Sequence, residues 1–230
     1  NGKFVYALMM DINLTEYLDF ARNLSIEAGK ITLKYFRKEY DVERKKDNSP
    51  VTVADRETEY FIRNAIIRRF PDHGIIGEEH GSVKSDSPFK WIIDPIDGTK
   101  SFIHGVPLYT VLIALVYEGE PCVGVIHNPM LEETAAAATR LGCTLNGEPC
   151  RVSKTKALEH AWIQTTDPAK LIQMEPGFAM RIMTRSGQCR TWADGYGYLL
   201  VASGRADVMI DPIVAIWDVA PLKVGITEAG

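Results

Sequence analysis

The sequence predicts an α+β protein with a mixed, mostly antiparallel sheet. Two helical patterns come first, at residues 13–40 and 52–70, where apolar residues recur at the spacing of one helix face. Short apolar runs bounded by Gly, Pro or charged residues then follow one another through residues 74–152, with no helical pattern between them. Because parallel strands need long crossovers, consecutive strands of this kind pair mainly as antiparallel neighbours.

The two N-terminal helices have recognisable ends. Asn13 with Glu16 three residues later resembles a capping box, so the first helix is predicted over residues 13–40. A charged loop follows. The second helix is predicted over residues 52–70, where Pro71 ends it.

Strands and a hairpin are predicted after the helices. The hairpin spans residues 143–152, because Asn146-Gly147 is a common signal for a tight turn between strands. Residues 196–211 predict a helix of small residues leading into a strand, and a last helix opens near Asp218. The predicted single strands lie at residues 74–77, 91–94, 110–117, 122–126 and 133–139.

Length and composition limit the functions to consider. With 230 residues, 46% of them hydrophobic, the chain can form one large domain or two small ones, with a sizeable core. The net charge of −4 gives no basic excess for binding nucleic acid. The sequence contains no secretory leader pattern and no apolar run long enough to cross a membrane, so we expect no membrane partner and a cytoplasmic location.

The cysteines indicate a reducing environment. None of the four forms a CxxC pair, which weakens zinc and thioredoxin-like interpretations. We expect reduced thiols, and a secreted protein with two disulfides is the alternative. The four are Cys122, Cys143, Cys150 and Cys189.

Acidic residues follow two apolar runs at the point where each run ends. "WIIDPIDGT" places Asp94 and Asp97 after one strand, and "IIGEE" places Glu78 and Glu79 after another. A single D-x-x-D-G is most often only a turn. Two strands that both end in acids can instead lie side by side, with their acids at the same edge of the sheet.

Further acids and a glycine complete a predicted phosphate site. Asp55 lies near the start of the second helix, and Asp218 follows an apolar pair. Clustered acids repel unless a cation compensates them, and oxygen ligands with no interleaved His or Cys suit Mg²⁺ or Mn²⁺ rather than zinc. Backbone amides after Gly98 can approach an anion closely, especially if a helix begins there. The combination predicts metal-assisted hydrolysis of a phosphate ester.

Four motifs together resemble the inositol monophosphatase superfamily. They are "DNSPVTVAD" (47–55), "GEE" (77–79), "DPIDGT" (94–99) and "WDVAP" (217–221), in the order and spacing of that family. The resemblance covers nearly the whole chain. It implies an αβαβα layered sandwich of the inositol monophosphatase and fructose-1,6-bisphosphatase type, usually assembled as a homodimer.

The resemblance also implies residue roles. Asp55 and Thr99 would orient and deprotonate a metal-bound water that attacks phosphorus directly, with Glu79 assisting through a further water or metal. The amides of Gly98 and Thr99 would hold the phosphate. Two or three Mg²⁺ ions, or Mn²⁺, would be held by Glu78, Asp94, the carbonyl of Ile96, Asp97 and Asp218. Residues of this set that would also contact substrate are Glu78, Ile96, Asp97, Gly98, Thr99 and Asp218.

The segment at residues 189–198 bears on the substrate. Its R-x-W-x-D-x-Y-G-Y pattern resembles the histidinol-phosphate phosphatases of the superfamily more than the inositol-specific members. Asp194 would then pair with the substrate amine, Arg190 would hold the phosphate or a neighbouring acid, and Trp192 would wall a substrate ring. The alternative for the charged pair is an ordinary ion pair between Arg190 and Asp194, four residues apart on a helix.

Other functions remain open at this stage. Within the superfamily the alternatives are an inositol-1-monophosphatase, then a nucleotide 3′-phosphatase or a sugar bisphosphatase. A haloacid-dehalogenase-type phosphatase is disfavoured because its two acids are two residues apart, not three as here. A metal-binding homologue without catalysis is disfavoured because the acids and Thr99 are all present, and no calcium-loop pattern occurs.

We expect one catalytic domain over residues 1–230. Residues 1–150 would form the metal-binding half, and residues 151–230 the half that selects the substrate. The resemblance also implies a further strand and helix beyond Gly230, so we expect the C-terminus of the domain to be incomplete in this sequence.

Overall fold

An eight-stranded sheet organises the chain in the computed structural model, which describes residues 12–44, 50–192 and 194–230. Seven α-helices occur in this part of the chain: α1 (Leu14–Tyr35), α2 (Val53–Arg69), α3 (Thr99–Ile103), α4 (Pro168–Met174), α5 (Pro176–Arg185), α6 (Asp194–Ala202) and α7 (Ile216–Ala229). The strands are β1 (Val42–Arg44), β2 (Pro50–Thr52), β3 (Gly74–Gly77), β4 (Gly81–Val83), β5 (Phe89–Asp97), β6 (Thr110–Tyr117), β7 (Glu120–Asn128), β8 (Glu133–Ala138), β9 (Gly142–Leu145), β10 (Glu148–Cys150), β11 (Trp162–Thr165), β12 (Gln188–Arg190) and β13 (Val208–Ile210).

The large sheet is mixed and mostly antiparallel, which confirms the predicted class. Its order is β10-β9-β8-β7-β6-β5-β3-β4, and β3 and β5 form its parallel pair. All five predicted single strands and the hairpin are present. Asn146 and Gly147 both have positive φ angles, 52° and 88°, as a tight hairpin turn requires.

Helices cover both faces of this sheet. Successive residues of a strand point to opposite faces, so Val111 and Ile113 pack in the core formed with α1 and α2. Leu112 between them packs in the opposite core with Leu199 of α6 and Leu222 of α7. The small parallel sheet β12-β11-β13 follows, with α4 and α5 connecting β11 to β12. The result is the predicted αβαβα order of layers.

Two details of the predicted helices were wrong. The first helix ends at Tyr35, not Tyr40, because Arg37 adopts a left-handed φ of 57° and donates to the Gly105 carbonyl at 2.8 and 3.0 Å. Asn13 makes no side-chain cap. The capping box forms instead at the start of α2, between Thr52 and Asp55.

Of the small parallel sheet, only the strand at the end of residues 196–211 was predicted, and it is present as β13. The other two strands, β11 and β12, contain only four and three residues, too few to show a period. The four cysteines are free, as expected, with the sulfurs of Cys143 and Cys150 3.5 Å apart across β9 and β10. Among the residues described, every helix is too short or too polar to cross a bilayer.

Gly124 allows α7 to lie against the large sheet. A Cβ at this position would collide with the backbone carbonyl of Pro221, which the helix cannot move aside. We therefore expect Gly124→Ala to lower the free energy of unfolding by about 1–3 kcal/mol or more, the usual cost of overpacking. Urea unfolding followed by circular dichroism measures the loss.

Gly177→Ala is the matched control for this prediction. Gly177 lies in α5, and a Cβ there meets no atom within 4 Å, so the substitution should be neutral or slightly stabilising. Equal effects of the two substitutions would contradict the close approach of α7.

Candidate active site

The parallel pairing of β3 and β5 brings the first acids together. Gly77 and Ile93 are register partners at the ends of these strands, and the Glu78 amide donates to the Ile93 carbonyl at 3.3 Å. Glu78 therefore begins beside Asp94, and its charge helps to raise the pKa of Asp94, after burial. The prediction that two acid-terminated strands meet at one edge is confirmed.

A β-bulge places Asp94 and Asp97 on the same side. Asp94 pairs with Leu112 but Asp97 pairs with Thr110, so three steps along β5 match two along β6. In a regular strand, residues three apart point to opposite faces, and the extra residue of the bulge cancels that difference. The bulge is fixed by Asp94 itself, whose Oδ1 accepts the Ile96 amide at 3.0 Å.

Helix α7 adds a third acid to this edge. Asp218 lies in its first turn, where Oδ2 accepts the Ala215 amide at 2.7 Å and fixes the side chain. Asp94, Asp97 and Asp218 each offer a carboxylate oxygen, and these three atoms all lie within 4.8 Å of one another. This group of oxygens could hold a divalent cation, and Mg²⁺ and Mn²⁺ prefer such ligands.

Burial and mutual repulsion raise the pKa values of these acids. Asp94 is 2% exposed, and its pKa is well above the usual range, first through burial and then through Glu78, Asp97 and Asp218. The pKa of Asp97 is raised in the same way, and that of Asp218 rises to about 6. A cation at this position would relieve both effects, so the donor set fits a bound metal ion.

Asp55 and Thr99 form a second unit beside the acids. Asp55 is fully buried, and its Oδ2 accepts the Thr52 amide at 2.8 Å and the Thr52 hydroxyl at 2.6 Å. Its other oxygen lies 3.5 Å from the Thr99 hydroxyl, which also lies 3.0 Å from the Ile96 carbonyl. Burial raises the pKa of Asp55 to about 6, so the group is a proton acceptor near neutral pH.

Gly98 connects the acids to helix α3. It adopts a left-handed conformation with φ of 85°, and α3 begins at Thr99, a helix that the sequence reasoning raised only as a condition and did not predict. A Cβ at Gly98 would lie 2.9 Å from Asp194 Oδ2, so the Asp194 carboxylate lies directly against this turn. Gly195 follows, and its amide donates to Asp97 Oδ2.

Gly195 and Asp211 are site residues that the sequence reasoning missed. A Cβ at Gly195 would lie 2.6 Å from Asp97 Oδ2, so only glycine lets α6 begin there. Asp211 follows β13 and helps raise the pKa of Asp194 to about 6, after burial, while Lys100 acts in the opposite direction. The sequence "VMID" is an apolar run that ends in Asp211, the same kind of pattern that identified Asp94. This pattern could have identified Asp211 as well.

Arg190 and Glu79 lie differently from the three acids that could hold a metal ion. Arg190 belongs to β12, so the helical ion pair with Asp194 considered as an alternative is wrong. Its guanidinium donates to the Cys189 carbonyl at 2.8 Å and lies 6.0 Å from the centre of the Trp162 ring. The Glu79 amide is anchored by Glu59 Oε2 at 2.6 Å.

This fold and this arrangement of acids define a phosphoric monoester hydrolase. The family model described as "Inositol monophosphatase family" matches residues 13–230. The chain belongs to the inositol monophosphatase family, whose members are metal-dependent phosphatases.

Similar proteins support the same assignment. The chain is 43% identical to a histidinol-phosphatase of Chlorobaculum parvum, over 94% of this chain and 85% of that protein. It is 35% identical to an inositol-1-monophosphatase of Synechocystis, over 95% and 78% of the two chains. A crystal structure of the extragenic suppressor protein SuhB of Bartonella henselae has a TM-score of 0.89 and 29% identity, over 94% of this chain and 85% of that chain.

Repulsion among the acids predicts a stability gain when one is neutralised. Because the folded protein raises the pKa of Asp97, the ionised carboxylate destabilises the fold at neutral pH in the absence of metal. We expect Asp97→Asn to melt at the same or a higher temperature than the parent protein in EDTA, and ~1 kcal/mol corresponds to roughly 2–4 °C in a domain of this size. Added Mg²⁺ should raise the melting temperature of the parent protein much more than that of the variant.

Asp207→Asn is the control for this experiment. Asp207 is partly buried, but hydrogen bonds from Ser153, the Trp162 amide and Thr155 hold its pKa below the usual range. Its neutralisation should therefore lower the melting temperature in EDTA. A clear loss of stability in Asp97→Asn, equal to that in Asp207→Asn, would contradict the repulsion argument.

Proposed function

We propose that the protein is a Mg²⁺-dependent phosphomonoesterase that hydrolyses L-histidinol phosphate to L-histidinol and phosphate, a step of histidine biosynthesis. The observation that carries the phosphatase chemistry is the group of Asp94, Asp97 and Asp218 oxygens beside the Asp55–Thr99 pair. The observation that carries the substrate is the position of Asp194 against Gly98.

The metal site is assigned to acids from three elements. Two or three Mg²⁺ ions, or Mn²⁺, would be held by Glu78, Asp94, the carbonyl of Ile96, Asp97 and Asp218. When bound, the ions would neutralise the phosphate and make a water more acidic. Glu79 is assigned an assisting role next to this set.

The protein's own groups would move the proton and hold the phosphate. The Thr99 hydroxyl oxygen takes a proton from the attacking water and passes its own hydroxyl proton to Asp55 Oδ1, which it faces at 3.5 Å. The Thr52 contacts to Oδ2 keep Asp55 oriented for this transfer. The amides of Gly98 and Thr99, at the start of α3, are assigned to the phosphate oxygens.

The acids near Gly98 favour a cationic leaving group. In L-histidinol phosphate the ammonium is attached two carbons from the ester oxygen, so a carboxylate that binds it must lie close to the phosphate. Asp194 lies 2.9 Å from where a Gly98 Cβ would be, and Asp211 adds negative charge nearby. Lys100 offsets part of this charge, and the pKa of Asp194 is nevertheless raised to about 6. A neutral polyol would add no further compensation, whereas an ammonium would pair with the carboxylate.

The named relatives support two substrates unequally. The C. parvum relative at 43% identity and a Mycobacterium tuberculosis relative at 34% identity are histidinol-phosphatases. The Synechocystis relative at 35% identity and the Thermotoga maritima structure, with a TM-score of 0.86 and 33% identity, are inositol monophosphatases. Inositol-1-monophosphatase is therefore the second candidate function.

Arg190 stays a prediction in the substrate site. Its guanidinium would bind phosphate or a neighbouring acid, and it lies 6.0 Å from the centre of the Trp162 ring. The division into a metal-binding half, residues 1–150, and a substrate half, residues 151–230, is also a proposal. Asp218 is an exception to it, because this proposed metal ligand lies in the substrate half.

A homodimer in the cytoplasm is the proposed state of the protein. The part of the chain around the small sheet exposes large apolar side chains, among them Trp162, Ile172, Met174, Phe178 and Met180. Contact with a second subunit would remove such side chains from water. The four free thiols suit a reducing compartment. Light scattering after gel filtration would test the dimer.

Phosphate release is the direct test of the proposed activity. We expect Mg²⁺-dependent release from L-histidinol phosphate at a higher kcat/KM than from inositol 1-phosphate, a nucleotide 3′-phosphate or fructose 1,6-bisphosphate, and none in EDTA. A preference for inositol 1-phosphate would contradict the substrate but keep the phosphatase. Absence of EDTA-sensitive release from all four would contradict the proposed chemistry.

Asp194→Asn tests the amine contact separately. Asparagine tolerates the left-handed φ of 55° at this position and keeps the shape of the side chain, so only the charge is removed. Loss of a charge-assisted hydrogen bond of about 1.5–3 kcal/mol should lower kcat/KM for L-histidinol phosphate roughly 10- to 150-fold.

The matched control for Asp194→Asn is a substrate rather than a variant. The desamino analogue, 3-(imidazol-4-yl)propyl phosphate, keeps the ring and the phosphate ester but lacks the ammonium. Its kcat/KM should change little between the parent protein and Asp194→Asn. Equal losses on both substrates would mean that Asp194 supports the fold of the site and does not recognise the amine.

A further inference from the structure

Glu59 is a buried charge for which the proposed reaction has no direct use. It lies in α2 and is 0% exposed, and Arg63 one turn later is 9% exposed. The Arg63 Nη1 donates to Glu59 Oε1 at 3.0 Å. Charged residues are almost never buried this deeply unless they are paired, and a buried pair is by itself a poor source of stability.

The Glu59 carboxylate holds the backbone that follows Glu78. Its Oε2 accepts the Glu79 amide at 2.6 Å, and its Oε1 accepts the His80 amide at 3.0 Å. Arg63 extends the same support, because its Nη1 also lies 2.9 Å from the Gly81 carbonyl. Three consecutive residues after Glu78 are therefore fixed by one ion pair of α2.

Gly77 shows how closely this carboxylate approaches the loop. A Cβ at Gly77 would collide with both oxygens and the carboxyl carbon of Glu59. The glycine of the "GEE" motif is therefore required by the side chain beneath it. Glu78 follows this contact directly, and its own backbone N–H donates a hydrogen bond to the Ile93 carbonyl.

Helix α2 connects this support to the proton acceptor. Asp55 and Glu59 are four residues apart, so they lie on the same face of α2. Asp55 reaches Thr99, and Glu59 reaches the backbone next to Glu78. One rigid helix thus sets the position of both the proposed base and a proposed metal ligand.

We propose that Glu59 and Arg63 are positioning residues that fix the Glu78 carboxylate for metal binding. The inference rests on the proposed function, in which Glu78 is a metal ligand. It attributes part of the metal affinity to a buried ion pair that touches neither metal nor substrate. Loss of groups that orient metal ligands typically costs 10- to 100-fold in metal affinity.

The test measures Mn²⁺ binding directly, by electron paramagnetic resonance, in the parent protein and in Glu59→Gln. The glutamine amide can accept one backbone N–H but presents its own N–H groups to the other and to Arg63. We expect Mn²⁺ affinity to fall 10- to 100-fold, and the Mg²⁺ concentration for half-maximal activity to rise by a similar factor. At saturating metal, kcat should stay within about threefold of the parent value, because the chemical groups are intact.

Two further variants separate positioning from folding. Arg63→Lys keeps the charge but cannot bridge Glu59 and Gly81 with a planar guanidinium, so it should show a smaller loss of Mn²⁺ affinity in the same direction even if Glu59→Gln does not fold. Ile66→Val, in the buried face of the same helix, should lower the melting temperature and leave Mn²⁺ affinity unchanged.

The outcomes distinguish this inference from the proposed function. Unchanged Mn²⁺ affinity in Arg63→Lys and in any folded Glu59→Gln would overturn the positioning role and leave the proposed function standing. A loss of affinity in Ile66→Val equal to that in Arg63→Lys would assign the effect to stability and overturn the inference as well. A parent protein that binds no Mn²⁺ would contradict the proposed function itself.

Discussion

The structure depends on holding several carboxylates together at one edge of the large sheet. Asp94, Asp97 and Asp218 offer oxygens within 4.8 Å of one another, and the charge of Glu78 acts on Asp94 as well. Burial and mutual repulsion raise the pKa values of these groups, so the arrangement is unfavourable for the protein alone. The surrounding fold must therefore fix each member, and protonation or a bound cation would relieve the repulsion.

Local devices fix each carboxylate in a different way. A bulge in β5 turns Asp94 and Asp97 to the same side, and the first turn of α7 fixes Asp218 through the Ala215 amide. The capping box of α2 uses one oxygen of Asp55 and leaves the other facing Thr99. In each case a backbone amide orients a carboxylate. This costs less conformational entropy than a long side-chain ion pair, because the strand or helix already orders the amide.

The two sheets contribute different parts of the site. The large sheet supplies the acids and the turn at Gly98, whereas the small parallel sheet supplies Asp211 beside Asp194. Helix α6 joins the two, since Asp194 lies against Gly98 and the Gly195 amide donates to Asp97. The start of α6 is therefore coupled to the acids of the large sheet through Asp97.

The sequence by itself determined the class of fold, the strands of the large sheet and the acids at their ends. These were readable because apolar runs that stop at a carboxylate, such as "WIID" and "GIIGEE", are local patterns. The bulge at residues 94–97, the left-handed end of α1 at Arg37 and the small parallel sheet were decided by tertiary structure, because each depends on a partner distant in the chain. Glu59 shows the same limit. As one charged residue in a polar helix, it has no sequence pattern that predicts a role. Only the packing of α2 under the loop at Glu79 and His80 lets its carboxylate accept hydrogen bonds from two backbone amides.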